Sequence, residues 1–292
     1  MAENLLILIS VIMCLCQLNR VDAEVTFVSS TCVNGANYTK NSIYEKNLNL
    51  LFSELSTKTS THNFYNATSG KIPDKLYALY QCRTDVSAEI CNECIIAATN
   101  QSVHSCPSAK EAYVWYEECM LRYANRSIFS SAETSPGPRV WSLRNVSNYD
   151  ALAPVLAAKL DSVISRAAVA TPFGHFATED GNWTLFDSVY CLAQCTPDID
   201  GFHCKNCLTR ALSTMINDYN TSIRVMVFYP SCQLRYDTTE QFYHELDAAV
   251  PAPAPSEMLV TNPGKSKAGP SVVVDKSLGI SMLVMIALFS AY

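Results

Sequence analysis

CRTDVSAEICNEC (residues 82–94) and CTPDIDGFHCKNC (residues 195–207) share one cysteine spacing, C-x8-C-x2-C, although most residues between the cysteines differ. The correspondence extends beyond these stretches. Cys82, Cys91, Cys94 and Cys119 recur as Cys195, Cys204, Cys207 and Cys232, each displaced by 113 residues. At the same offset Tyr77, Leu79 and Gln81 match Tyr190, Leu192 and Gln194. Leu121-Arg122-Tyr123 matches Leu234-Arg235-Tyr236, and Phe129 matches Phe242. So many coincidences at one offset identify a tandem repeat of a single domain.

Both copies present the same order of local signals. Tyr44, Leu48, Leu51 and Leu55 fall on one helical face after a cap at Asn41 or Ser42. Leu152, Leu156, Leu160, Val163 and Ala167 do the same in the second copy, where Pro154 is tolerated only near the first turn. A second, short helix is expected around each C-x2-C. AYVWYEECMLRYA and IRVMVFYPSCQLRYD are β-branched and aromatic enough to read as strands. Helix and strand signals within each copy predict an α+β fold. The expected organisation is a signal peptide over 1–23, a first domain over 24–132, a connector over 133–148 containing Pro136-Gly137-Pro138, and a second domain over 149–247.

Residues 5–18, LLILISVIMCLCQL, are apolar but too short to span a bilayer, and Val21-Asp22-Ala23 offers small residues for signal-peptidase cleavage before Glu24. The segment ahead of them carries Glu3 and no basic residue, so an uncleaved anchor is the alternative. Sequons at Asn37, Asn66, Asn100, Asn125, Asn145, Asn182 and Asn220 agree with export and glycosylation. Secretion makes disulfides the default state of cysteine. The chain has 13 cysteines, 11 of them after the signal, and a net charge of −6 without a basic block, which disfavours nucleic acid.

The first copy holds Cys32, Cys82, Cys91, Cys94, Cys106 and Cys119, and spacing alone leaves every pairing open. The second copy has Tyr219 where Cys106 would recur and no cysteine near residue 145, where Cys32 would. Partners tend to be lost together, so Cys32–Cys106 is inferred, a staple worth about 4 kcal/mol in the chain-entropy picture. Cys191 aligns with Ala78, making it an extra thiol, either buried and free or paired between molecules.

Catalytic and metal readings find little support. His62, His104, His175, His203 and His244 lack metal-binding spacing, and no G-x-S-x-G, phosphate loop or dinucleotide fingerprint occurs. Glu117-Glu118, read as part of a strand, would point to opposite faces and form no carboxylate pair. No enzyme, cofactor or metal is expected.

The two C-x8-C-x2-C units, with CMLRYANRSIF in the first copy and YPSCQLRY in the second, resemble the plant salt-stress-response/antifungal (ginkbilobin-2-homologous) domain. Tandem copies of it occur in cysteine-rich repeat secretory proteins, cysteine-rich receptor-like kinases and plasmodesmata-located proteins. The resemblance covers roughly residues 26–247 and implies two helices packed on an antiparallel sheet in each domain. It implies the pairs Cys32–Cys106, Cys82–Cys91, Cys94–Cys119, Cys195–Cys204 and Cys207–Cys232, with Cys191 left unpaired. The ruler is then structural. The family's mannose-binding positions, an Asn after the first cysteine, an Arg six before the last and a Glu five after it, fall on Val33, Tyr113 and Ala124. In the second copy they fall on no counterpart, Met226 and Asp237, with Arg224 two residues away.

At the C-terminal end, Pro251-Ala252-Pro253-Ala254-Pro255 opens a Pro/Ser/Lys linker over 248–277, and 278–292 is an apolar tail. Small residues at Ser266-Lys267-Ala268, a spacer and that tail fit a GPI signal with attachment at Ser266; a transmembrane end is the alternative. The expectation is an extracellular, non-catalytic recognition protein of the plant cell surface or apoplast. It would act in stress, defence or cell-to-cell signalling through extracellular or membrane proteins, with a cell-wall glycan as a further ligand. The alternative is a secreted mannose-type carbohydrate-binding antifungal protein.

Overall fold

The computed structural model describes residues 25–244 except 34, 36, 172, 173 and 220. The signal segment, the linker, the apolar tail, Asn220 and Ser266 lie outside the described residues. The first repeat runs β1 (Phe27–Cys32), α1 (Ile43–Lys58), β2 (Phe64–Ser69), β3 (Leu76–Cys82), α2 (Ala88–Ser105), β4 (Ala112–Tyr116) and β5 (Cys119–Ala124). The second runs β6 (Arg139–Trp141), α3 (Tyr149–Ala167), β7 (Phe176–Asn182), β8 (Ser188–Cys195), α4 (Gly201–Tyr219), β9 (Arg224–Phe228) and β10 (Cys232–Asp237). The sheets are antiparallel, ordered β1-β4-β5-β3-β2 and β6-β9-β10-β8-β7. The fold is α+β, two helices on one sheet, twice.

The first helix of each repeat follows its sequence signals. The Ser42 hydroxyl accepts from the Glu45 N–H at 3.3 Å and caps α1, and Asn148 Oδ1 accepts from the Ala151 N–H at 3.2 Å and caps α3. Tyr44, Leu48, Leu51, Phe52 and Leu55 bury one face of α1, and Leu152, Leu156, Leu160, Val163 and Ala167 line α3. Pro154 sits in the second turn of α3 rather than the first, so the exposed Asp150 carbonyl loses its i+4 donor.

Three expectations need correction. The helices carrying C-x2-C are not short: α2 has 18 residues and α4 has 19. AYVWYEECMLRYA is two strands, β4 and β5, with Glu117-Glu118 in the bend between them, and the second copy likewise folds into β9 and β10 around Tyr229-Pro230-Ser231. β-propensity marks residues that suit a sheet, but not where a two-residue reversal falls. The stretch 133–148, expected to be connector, contains β6, which pairs with β9 as β1 pairs with β4.

Alternation along the central strands divides each sheet into two buried faces. Ala112, Val114, Cys119, Leu121 and Tyr123 pack against α1 and α2 in the first core, and Val225, Val227, Cys232, Leu234 and Tyr236 pack against α3 and α4 in the second. The opposite faces are apolar too. Leu79, Tyr113, Trp115, Met120 and Ala124 of the first repeat join Met226 and Phe228 of the second in one cluster. Both faces of the central strands are therefore removed from water, and β5 is buried at all six positions.

Candidate functional site

The interface between the repeats is reciprocal. Gln81 Nε2 donates to the Cys195 carbonyl at 2.8 Å, and its repeat partner Gln194 donates through Nε2 to the Cys82 carbonyl at 3.1 Å. Asp85 accepts from the His244 N–H at 2.9 Å, while Asp198, at the equivalent position, accepts from the Ser130 N–H at 2.8 Å. Glu117, at the hairpin bend, accepts from Arg224 Nη2 at 2.8 Å and lies 3.7 Å from Arg235 Nη1. Arg235 Nη2 also donates to the Glu117 carbonyl, and the guanidinium lies 4.7 Å from the centre of the Phe228 ring. Burial pushes the Arg235 guanidinium down, as does the Arg83 charge, and the Glu117 carboxylate opposes both.

The disulfides fix the strands that carry these groups. The bonds are Cys32–Cys106, Cys82–Cys91, Cys94–Cys119, Cys195–Cys204 and Cys207–Cys232. Cys82–Cys91 and Cys195–Cys204 tie the ends of β3 and β8 to the first turns of α2 and α4. Cys94–Cys119 and Cys207–Cys232 then tie those helices to β5 and β10. Cys191 is free and fully buried against the α3 side of the second core. Desolvation raises its pKa, so the thiol stays protonated and unreactive at neutral pH.

Strand register revises the position expected for Cys32 in the second copy. Cys32 pairs with Ala112, and the equivalent of Ala112, Val225, pairs with Trp141. The counterpart of Cys32 is therefore Trp141, four residues earlier than the repeat offset predicts, because the second repeat has four more residues between this strand and its first ruler cysteine than the first repeat has. Trp141 stacks on Tyr219, the counterpart of Cys106, with ring centroids 4.5 Å apart. An aromatic pair replaces the disulfide.

The positions suggested by family resemblance do not converge on one open site. In the first repeat Tyr113 and Ala124 are buried in the inter-repeat cluster, and Val33 lies at the surface. The Tyr113 hydroxyl lies 2.9 Å from Glu111 and 3.1 Å from Glu133, its one proton shared between the two carboxylates. In the second repeat Met226 is buried, and Asp237, 0 % exposed, accepts from the Thr239 N–H at 2.7 Å and the Thr239 hydroxyl at 2.6 Å. Arg224 Nε lies 3.5 Å from Asp237. Beside them is a groove of about 450 Å³ bounded by Trp141, Ser142, Arg224, Thr239 and Glu240, with Glu117 reaching in from the first repeat. Sequence spacing missed Ser142 because it was measured from the wrong counterpart of Cys32.

The remaining site candidates are dispersed. Asn37, Asn100, Asn125, Asn145 and Asn182 are exposed, and Asn66 is half-buried on β2. Asn37 and Asn145 occupy equivalent bridges, to Ala109 and Ser222. His203 contacts Asp200 at 2.7 Å, His62 contacts Thr61 at 2.7 Å, and buried His175 contacts the Ala167 carbonyl at 2.9 Å. Among the described residues no cluster of His, Cys, Asp and Glu is arranged to hold a metal.

The sequence model of the salt stress response/antifungal family matches residues 31–126 and again 142–239. The chain belongs to this family. It is 36% identical over 255 residues to cysteine-rich receptor-like protein kinase 25 of Arabidopsis thaliana, a match covering 84% of this chain and 37% of the kinase. It is 34% identical over 204 residues to the putative cysteine-rich repeat secretory protein 7 of the same plant, covering 69% of this chain and 72% of that protein. The chain spans about two fifths of the lengths of cysteine-rich receptor-like protein kinases 25, 20 and 7, and their kinase domain has no counterpart in these 292 residues. The crystal structure of the tandem DUF26 ectodomain of the Arabidopsis thaliana cysteine-rich receptor-like protein PDLP8 superposes with a TM-score of 0.62 at 25% identity, covering 74% of this chain and 99% of that one. This family member thus has the architecture of an extracellular tandem DUF26 ectodomain.

Proposed function

We propose that the chain is a non-catalytic recognition protein of the plant cell surface that works through protein partners in stress, defence or cell-to-cell signalling. The observation that carries this reading is the fate of the sugar-binding positions. In the first repeat Tyr113 and Ala124 are spent on the inter-repeat contact, and in the second Asp237 is fully buried, with Oδ1 taken by the turn at Thr239 and Oδ2 facing Arg224. The disulfide-braced repeats leave a rigid outer surface, which lowers the ordering cost of association. A glycan array probed with the full glycosylated chain tests it. No micromolar binding is expected, and micromolar binding to mannose-type glycans would reverse the reading.

One observation favours the second reading, a mannose-type lectin. Trp141 is half exposed beside Ser142, Arg224 and Thr239, an aromatic face next to hydrogen-bonding groups. If the array is positive, Trp141→Ala should abolish the signal. For attachment, residues 267–292 would be exchanged for a GPI anchor at Ser266. Phosphatidylinositol-specific phospholipase C should then release the protein from intact cells. Retention of a tag placed after Tyr292 on protein that resists the enzyme would exclude the anchor.

A further inference from the structure

A cleft of about 700 Å³ lies between the repeats, where β3 and β8 end. Gln81 and Gln194 contribute to it, each directly preceding the first cysteine of its ruler. Both side chains are nearly buried and locked across the interface onto the backbone of the other repeat. Gln194 is held further, donating to Thr84 Oγ1 at 3.0 Å and accepting from Gln233 Nε2 at 3.1 Å. The disulfides at Cys82 and Cys195 brace the adjoining strand ends. These polar groups are preorganised.

The first repeat adds Thr61, Asn63 and the Phe64 ring to the walls, and the second adds His175 and Pro197. The His175 ring is held through Nδ1, which donates to the Ala167 carbonyl at 2.9 Å. Among the described residues lining the cleft there is no Asp, Glu, Lys or Arg, although the chain as a whole carries a net charge of −6. A charged group entering it would lose hydration and gain no counter-charge.

We propose that this cleft binds an extended, uncharged peptide segment of a protein partner, a proposal that rests on the protein-recognition reading above. The Asn63 and Gln81 amide oxygens and the Thr84 hydroxyl match N–H and C=O groups of a peptide backbone, Gln194 with both its N–H donors spent holds them in place, and Phe64 and Pro197 offer a small apolar seat. The volume suits a short segment. A sugar would find neither a charged hydrogen-bond partner nor an open Trp or Tyr face there, features that belong to the groove at Trp141.

The test is selection of short displayed peptides against the full glycosylated chain, using one library without Asp, Glu, Lys or Arg and one containing them. The uncharged library should yield micromolar binders. Thr61→Arg and Pro197→Arg, at exposed rim positions on opposite walls, should each weaken them at least about tenfold, and Trp141→Ala should leave them unchanged. Melting curves matching wild type would show that both arginine variants are folded. An absence of binders from the uncharged library, preference for charged peptides, or indifference to both arginine variants would overturn the cleft assignment while leaving protein recognition standing. Competition of the selected peptides by a mannose-type oligosaccharide would overturn both.

Discussion

Two residues show how local environment sets behaviour that spacing alone leaves open. Cys191 could be identified in the sequence as an extra thiol, but not placed. Its side chain faces the second core, where its counterpart Ala78 faces the first. A thiol fills such a site as a small apolar group. The unreduced protein should therefore show one alkylatable thiol by mass spectrometry, and only after denaturation; a covalent dimer abolished by Cys191→Ser would contradict this. Glu133 falls in the expected connector, and nothing in its sequence neighbours reveals a partner. Burial pushes its carboxyl up, but hydrogen bonds and charge from Arg126 and Arg122 outweigh burial and leave it below the ordinary glutamate value. Its contacts are 2.5 Å to Arg122, which is almost wholly buried, and 2.9 Å to Arg126. With the folded value depressed, the stabilisation is full above the unfolded pKa of about 4.3 and is lost as pH falls through the folded value. Glu133→Gln should cost about 3 kcal/mol at pH 7 by leaving Arg122 unpaired. The difference in melting temperature from wild type should shrink at pH 3, and an unchanged difference would contradict the assignment.

At the level of elements, the sequence revealed the repeat, the α+β class and the apolar faces of α1 and α3, because these depend on periodicity and composition. It did not reveal the two hairpin bends or β6. Glu117-Glu118 resembles its β-rich surroundings, and a three-residue edge strand carries too little pattern to stand out from a connector. The substitution of Trp141 and Tyr219 for a disulfide was hidden for the same reason: it depends on register, which is a property of pairing. The two staples differ in strength. Cys32–Cys106 closes a long loop and is worth about 4 kcal/mol, whereas an aromatic stack adds about 1 kcal/mol beyond its buried area. The equivalence predicts that Trp141→Cys with Tyr219→Cys forms a disulfide spontaneously, since the matching Cα atoms of the first repeat are 5.3 Å apart. Non-reducing mass spectrometry should find the bond, and the melting temperature should rise by several degrees. Two free thiols in folded protein would show that the register differs.

For the whole molecule, the decisive feature is that neither sheet keeps a free face. Repeat detection found two domains but gave no reason for them to be inseparable, because the cluster joining Leu79, Trp115 and Met120 to Phe228 consists of residues that each strand pattern assigns to its own sheet. Separating the repeats would expose that cluster and the Gln81 and Gln194 amides, together with buried Arg235. The lost apolar burial and unsatisfied polar groups would amount to several kcal/mol, comparable to the stability of a small domain. The two repeats should accordingly melt as one unit, with calorimetric and van't Hoff enthalpies in agreement. Phe228→Asp tests the coupling because Phe228 belongs to the inter-repeat cluster and not to the core beneath α3 and α4. Loss of the ring, with its apolar contacts and its stack on Arg235, should break the joint while sparing both inner cores. The single transition should then split, and the second repeat, with an aromatic stack in place of a third disulfide, should melt first. Two transitions already present in the wild-type protein, or a single one persisting in the folded Phe228→Asp variant, would show that the inter-repeat cluster does not set cooperativity.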